Sequence, residues 1–263
     1  MINNRMKCYG FYFFMGIFSC LAFTSNYAQN LTDGLVLALS FEDGKGNTAV
    51  DSSPSAKHAK VDGKVDWVDG KHGKGINIDE NTWLVAPHIP FNEKDFTVQF
   101  WFNCKLHKGV VFSQYEKNAK NLSLHFRLRD AGSVDLGFYS NDLATKDGVI
   151  TSNAWHNLTF VMDVTAKTRK IYVDGEEKSS DKPETLYAAK TGDTIIGGWN
   201  RVDKNVKKAY QKYIGKVDEV RVWSRVLSKD EIAASMQKAS LMSATSVDSE
   251  GRLTTTWGLL KAN

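Results

Sequence analysis

The sequence of 263 residues has few of the residues that would indicate a disulfide framework or a zinc site. It has three cysteines, and two of them, Cys8 and Cys20, lie within the first 28 residues. Once that segment is removed only Cys104 remains, so no intramolecular disulfide can form. The six histidines are scattered along the chain and predict no zinc site. The formal charge is only +4, which argues against a nucleic-acid partner.

The first 28 residues predict a cleaved secretory signal peptide. Arg5 and Lys7 form a positive start, the run from Tyr9 to Phe23 is almost wholly apolar, and small residues follow. This run is shorter than the roughly 20 residues of a spanning helix, so we expect no transmembrane anchor after cleavage. We therefore expect a secreted protein, extracellular or periplasmic. The alternative is a lipid anchor on Cys20, with residues 17–20 as the lipobox.

The remaining chain predicts many short β-strands, because apolar residues alternate with polar ones between turn-forming clusters. In the clearest run Phe96, Val98, Phe100 and Phe102 share one face. About eleven such runs, with no long helical pattern between them, predict an all-β fold of two packed antiparallel sheets. The other runs are Leu35–Phe41, Gly75–Ile78, Trp83–Ala86, Gly109–Gln114, Leu122–Leu128, Val134–Tyr139, Trp155–Asp163, Lys170–Val173, Thr194–Ile196 and Ile214–Trp223.

One short helix is predicted near the C-terminus. Ser228 and Glu231 have the spacing of a capping box, and Leu227 and Ile232 that of a hydrophobic staple. The helix should end near residue 238 or 239. The residues from 240 onward predict a polar linker and tail.

Four segments carry a resemblance to a known family. They are Leu37–Asp51, Phe96–Phe102, Trp155–Thr159 with Lys170–Gly175, and Gly215–Trp223 with Arg225–Ser228 and Glu231–Ile232. They are similar to the strands of the laminin G-like, concanavalin A-like jelly-roll family. The resemblance covers about residues 35–239 and implies a jelly-roll β-sandwich. Together with the N-terminal segment, the sequence predicts a signal peptide at 1–28, one domain at 29–239 and a linker and tail at 240–263.

A bound cation is predicted from the register of the last strand. Val220 and Val222 should face the core, so Asp218 should point to the same side, where a lone carboxylate would be costly. The acidic turn before residue 52 offers oxygen ligands, and calcium takes six to eight of them. The resemblance implies the same, since many members of the family hold a structural calcium there. Alternatively, Asp218 is satisfied by backbone N–H groups or Lys216, and the turn is merely solvated. The predicted ligands are Glu42, Asp43, Asn47, Asp51 and Asp218.

The sequence predicts no enzyme. Glycosidases of this fold usually carry carboxylates in an E-x-D-x-x-E pattern, because an acid and a nucleophile must flank the scissile bond. Here the only E-x-D is Glu93 to Asp95, and the third acid is absent. There is also no G-x-S-x-G and no H-E-x-x-H. A divergent hydrolase is the least favoured alternative.

Binding is the remaining function, and we expect the partner to be a carbohydrate or glycoprotein. Sugar-binding sites of this fold use exposed aromatic rings beside polar groups. Trp199, Asn200 and Arg201 follow a predicted strand in a long polar segment and are the candidate ligand-binding residues. Trp101 and Tyr115 are weaker candidates. The alternative is a structural or adhesion protein that binds another protein.

Overall fold

The computed structural model describes residues 30–199 and 211–237, which form sixteen strands and one helix. The strands make two antiparallel sheets, which confirms the predicted all-β sandwich. Sheet I has the order β14 (Glu176–Asp181), β13 (Thr168–Val173), β12 (His156–Asp163), β7 (Phe96–Cys104), β16 (Gly215–Trp223), β5 (Lys74–Ile78) and β4 (Trp67–Asp69), with β1 (Leu35–Leu39) also paired to β16. Sheet II has the order β11 (Asp142–Ala144), β10 (Val134–Gly137), β9 (Ser123–Leu128), β8 (Gly109–Tyr115), β15 (Thr194–Ile196), β6 (Trp83–Ala86), β3 (Ala59–Asp62) and β2 (Thr48–Ala49).

All eleven predicted strands are present, and five short strands were not predicted: β2, β3, β4, β11 and β14. The predicted helix, α1 (Lys229–Met236), begins with the expected capping box between Ser228 and Glu231. No helix within residues 30–199 and 211–237 is long and apolar enough to cross a bilayer. The predicted signal peptide and the tail from residue 240 lie outside the described residues.

A single aromatic core fills the space between the sheets. Phe100 on β7 packs against Phe112 on β8 and Phe126 on β9, with ring centroids 6.5 Å and 5.9 Å away. Phe160 on β12 meets Phe126 edge-on at 5.7 Å. All four side chains are fully buried. The alternation that predicted β7 therefore assigns its core face correctly.

The helix α1 covers the outer face of sheet I. Leu227 and Ile232 are both buried in a second apolar cluster with Trp223, which confirms the predicted staple. A polar bridge lies beside this cluster, where the hydroxyl of Ser235 donates to the side-chain oxygen of Gln99 at 2.7 Å. The outer face of sheet I is thus a second buried layer.

A β-bulge in β16 changes which side of the sheet Asp218 faces. Asp218 pairs with Trp101, yet Arg221, three residues on, pairs with the residue only two positions before Trp101. The extra residue is accommodated at Glu219, whose φ is +52°. Asp218 therefore lies on the outer face with Trp101, and the prediction that it shares the core side of Val220 was wrong. Simple alternation fails across a bulge because two residues oppose one.

Candidate functional site

Asp218 is buried on the outer face of sheet I beneath the turn that joins β4 to β5. Its Oδ2 accepts hydrogen bonds from the backbone N–H groups of Lys71 at 2.8 Å and His72 at 2.9 Å. Its Oδ1 is buried and has no hydrogen-bond partner among the described residues. Desolvation raises the pKa of this carboxyl to about 7, against the opposing effect of the backbone N–H groups of His72, Lys71 and Glu219.

The same turn also binds Glu42. The N–H of Lys74 donates to Glu42 Oε1 at 2.9 Å. A side chain on Gly73 would place its Cβ 2.2 Å from that oxygen, and one on Gly70 would lie 2.5 Å from Asp218 Oδ2. The two glycines are therefore needed for the turn to approach both carboxylates. We define residues 70–74, Glu42 and Asp218 as the carboxylate turn.

A second buried acid, Glu219, lies next to Asp218. One of its oxygens accepts from Arg221, and the other is buried without a partner among the described residues. Desolvation raises the pKa of Glu219 to about 8, even though Arg221 lowers it. Arg221 also donates to the carbonyl of Ser235 in α1. Arg221 thus pairs with Glu219 alone of these two neighbouring acids, and the local charge is negative when both acids are ionised.

The other predicted calcium ligands mainly hold their own loop in place. Asp43 accepts from the N–H of Val50 at 2.8 Å. Both oxygens of Asp51 are used, one by the N–H of Ala38 and the other by the N–H of Lys57. Asn47 is exposed. Within the described ranges, no three His, Cys, Asp or Glu side chains are grouped as a metal site.

The donors at the carboxylate turn nevertheless suit a hard cation. Among the described residues, the buried oxygens without partners here are Asp218 Oδ1 and Glu219 Oε1, and the guanidinium of Arg221 pairs with the other oxygen of Glu219. Calcium accepts such ligands and completes its shell with backbone carbonyls and water. Glu42 and Asp218 are the predicted ligands that the structure brings together, and sequence reasoning missed Glu219.

The predicted ligand residue Trp199 is buried rather than exposed. Its ring is 2% exposed and lies 4.6 Å from that of His125, in a stacked arrangement. Its indole N–H donates to the hydroxyl of Ser123 at 2.6 Å. The structure therefore does not present Trp199 as a surface for stacking a sugar. Asn200 and Arg201 lie outside the described residues.

The two weaker aromatic candidates are also partly covered. Trp101 is 7% exposed, with the ammonium of Lys71 only 4.4 Å from its ring centroid. Tyr115 at the end of β8 is half-buried. Neither ring forms an open platform.

The outer face of sheet II carries an unusual row of polar residues. Along β9, Leu124 and Phe126 point into the core, so His125 and Arg127 point outward. His125 lies opposite Gly137, which in turn pairs with Asp142. Gly137 has no side chain, and a Cβ there would lie 2.0 Å from Asp142 Oδ1. Asp142 can therefore reach across β10 to within 3.6 Å of His125.

A pocket of about 640 Å³ opens at the end of this face, where β9 ends and β8 begins. Its wall includes Lys108, Arg127, Arg129 and Lys212. Behind the pocket the guanidiniums of Arg127 and Arg129 contact the same oxygen of Asp135, at 2.7 Å and 2.5 Å. These residues were not predicted, although the alternation of Arg127 with core residues in β9 places its side chain outward. We call this cavity the basic pocket.

An aromatic ring lies beside the basic pocket. Trp83 is at the start of β6, where Leu84 faces the core, so the Trp83 ring is on the outer face of sheet II. The ammonium of Lys212 lies 5.8 Å from the centroid of that ring. Trp83 is half-buried and is the ring that meets the expectation of an aromatic group beside polar ones.

Thr151, His156 and Asp174 have the residue types of a hydrolytic triad, but the histidine is not free to act as a base. His156 contacts Asp174 through Nδ1 at 2.8 Å and Thr151 Oγ1 through Nε2 at 3.1 Å. The Nε2 atom also accepts the backbone N–H of Thr151 at 3.0 Å, so its lone pair is already engaged. The only E-x-D sequence is likewise structural, because Asp95 accepts the N–H of Val164.

The comparisons with known proteins agree with this architecture. Residues 79–233, more than half of the chain, match the family Laminin_G_3, described as the concanavalin A-like lectin/glucanases superfamily. The chain belongs to that superfamily. Comparison with curated protein sequences gives no significant match.

Solved structures of binding domains share the fold at low sequence identity. The binding domain of Paraclostridial Mosquitocidal Protein 1 is 19% identical with a TM-score of 0.62, over 78% of this chain and 52% of that one. The botulinum neurotoxin serotype D binding domain is 17% identical with a TM-score of 0.57, over 77% of this chain and 51% of that one. The chain thus spans about half of each toxin domain.

Another neighbour is similar over nearly its whole length. Domain 4 of AbnA, an extracellular arabinanase from Geobacillus stearothermophilus, was solved in complex with arabinotriose. It is 17% identical with a TM-score of 0.58, over 77% of this chain and 98% of that one. These identities establish the superfamily fold of this chain and not its ligand.

Proposed function

We propose that this chain is a secreted, non-catalytic binding module that recognises carbohydrate, free or on a glycoprotein, and that calcium stabilises its fold. The observation that carries the proposal is the basic pocket beside Trp83 on the outer face of sheet II. A concave site with a few convergent polar groups and a nearby aromatic ring is suited to a saccharide. The arabinotriose complex of the AbnA domain supports carbohydrate as the ligand class.

Export is part of the proposal, on the strength of the apolar N-terminal segment in the sequence. The module would be released outside the cell or into the periplasm, or would be held at the membrane by a lipid on Cys20. Expression of the full chain followed by mass spectrometry of the exported product distinguishes cleavage near residue 28 from lipidation of Cys20.

The calcium proposal depends on the carboxylate turn. Asp218 and Glu42, which contact the same turn, would contribute to one cation, with backbone carbonyls and water completing the shell. A cation there would offset the negative charge that burial now disfavours at Asp218 and Glu219. Calcium would thus link the segment after β1, which contains Glu42, to β16, which contains Asp218.

Thermal unfolding tests the cation independently of any ligand. We expect excess calcium to raise the midpoint of the metal-free protein by several degrees, because a ligand that binds only the native state stabilises it. Asp218→Ala should abolish the response, whereas the exposed control Asp69→Ala should keep it. An equal response in the two variants would exclude a site at Asp218.

A glycan array tests the carbohydrate ligand. We expect the protein to bind a restricted set of glycans, and Trp83→Ala to weaken that binding by up to about tenfold, since a contact with an aromatic ring contributes on the order of 1 kcal/mol and about 1.4 kcal/mol is a tenfold change in affinity. The control is Trp67→Ala, because Trp67 lies in sheet I. Retention of a protein partner after its glycans are removed would instead favour the adhesion function.

The edge of sheet I offers little support for that adhesion alternative by strand addition. The edge strand β14 has the sequence EEKSSD, and most of its residues are exposed. Charged side chains on an edge oppose pairing with another strand. Lys178 and Glu176 also form an ion pair along that edge.

A further inference from the structure

The basic pocket carries more positive charge than its acids neutralise. Its wall contains four cations, Lys108, Arg127, Arg129 and Lys212, together with Glu80 and Asp130. No ion pair joins either of these two acids to a pocket cation among the described residues. The one carboxylate that contacts the guanidiniums is Asp135, which is 4% exposed.

The two guanidiniums are not fully satisfied by Asp135. Both contact its Oδ2, so one negative charge is shared between two positive ones. The Nε atom of Arg127 is buried and has no partner among the described residues. A buried N–H without an acceptor costs free energy. Arg127 lines the pocket, and its remaining N–H groups can donate to an anionic oxygen placed there.

The two lysines extend the positive charge across the pocket. Lys212 is held between the pocket and the ring of Trp83, and Lys108 lies exposed at the start of β8. Guanidinium groups bind carboxylate and sulfate oxygens with directed hydrogen bonds, whereas an ammonium adds a mobile point charge. The arrangement of two guanidiniums with a lysine beside an aromatic ring fits a sugar that carries an acidic group.

We infer that the basic pocket binds the acidic group of an anionic saccharide, a carboxylate or a sulfate ester on a pyranose, with Arg127 as its principal hydrogen-bond donor and Lys212 as a second cation. This inference rests on the proposed carbohydrate-binding function and specifies the class of sugar. Trp83 contacts the ring of the sugar, and the guanidiniums contact its charge. The Asp135 carboxylate positions both guanidiniums.

Titration calorimetry with matched polysaccharides tests the inference. A uronic-acid polymer is compared with its fully methyl-esterified form, and a sulfated galactan with its desulfated form, so that each pair differs only in charge. We expect at least tenfold tighter binding of one charged member than of its neutral counterpart. We also expect that affinity to fall as sodium chloride is raised, because ions screen exposed charges. The pair that shows the preference identifies the acidic group as carboxylate or sulfate.

Variants connect the preference to the pocket. Arg127→Gln and Lys212→Gln should each lower affinity for the charged polymer by about tenfold and leave affinity for the neutral one nearly unchanged. Lys178→Gln, on the opposite sheet, is the matched control and should bind as the parent does. Lys212→Gln keeps the test valid if Arg127→Gln does not fold. Lys212 makes no ion pair among the described residues, so replacing it breaks none.

The outcomes separate the inference from the proposed function. Equal binding of charged and neutral forms would overturn the inference and leave carbohydrate binding intact. Tighter binding of the charged form that neither variant weakens would place the acidic group elsewhere and also overturn it. Equally tight binding of a DNA oligonucleotide would show a general affinity for phosphate instead. Failure to bind any saccharide would overturn both the inference and the proposed function.

Discussion

The burial of Asp218 predicts an unusual dependence of stability on pH in the metal-free protein. Its pKa is about 7 in the folded chain, against an ordinary value of 3.8. A raised carboxyl pKa means that the folded state holds the proton more tightly than the unfolded state. Stability is therefore lost as the pH rises between these two values, and the full cost is present above pH 7. The shift corresponds to about 4 kcal/mol at most.

The perturbation that isolates this effect is Asp218→Asn, which keeps an oxygen for the N–H groups of Lys71 and His72 but cannot ionise. Urea unfolding of both proteins would be measured in chelator at pH 4.5 and pH 8. We expect the parent to lose about 3 kcal/mol more than the variant over this range, because part of the cost is already present at the lower pH.

Because the two proteins share all other titrating groups, the contributions of those groups to the pH dependence of the unfolding free energy cancel in the comparison. Glu219 also has a raised pKa, whereas Asp174 and Glu231 have lowered ones, and all three remain in both proteins. Saturating calcium should remove the extra loss in the parent, since the bound form needs the ionised carboxylate. An identical loss in parent and variant in chelator would refute the account of Asp218 as a buried, desolvated acid.

Three further tests by urea unfolding examine other parts of the structure. Gly73→Ala should destabilise the protein by more than Gly148→Ala, because both residues have φ near +60° to +70° but only Gly73 lies against Glu42; equal losses would show that the contact is unimportant. Phe100→Ala should cost about 3 to 5 kcal/mol by opening the core, and a loss below about 1 kcal/mol would contradict its full burial. Ser228→Ala should cost about 1 kcal/mol and Ser228→Asp much less, since aspartate still caps α1; equal losses would argue against the cap.

The sequence predicts best the strands that bury one face against the core. In β7 the alternation of Phe96, Val98 and Phe100 is a direct consequence of the two-residue period of a strand. The helix cap at Ser228 depends only on residues three positions apart, so it is equally recognisable in the sequence. β14 was missed because EEKSSD lies on an edge, buries few residues and has no apolar period.

The candidate sites were predicted less well because they depend on local irregularities and on contacts between distant residues. The bulge at Glu219 reverses the side on which Asp218 lies, and a non-glycine residue at positive φ gives no sequence signal. The turn at Gly73 that binds Glu42 brings together residues far apart in the chain. Trp199 was expected at the surface because polar residues surround it, but its ring packs on His125.

The position of β16 has a consequence for how the domain can be assembled. It is the last strand within the described residues, yet it lies in the interior of sheet I, where it pairs with β7, β5 and β1. Lys71 and Asp218, which meet at the carboxylate turn, are separated by 147 positions. A chain still emerging from the ribosome therefore lacks the strand that joins the two halves of sheet I until residues 215–223 have been released. Sheet I should therefore remain incomplete during synthesis until β16 inserts, and its closure should be a late step in folding.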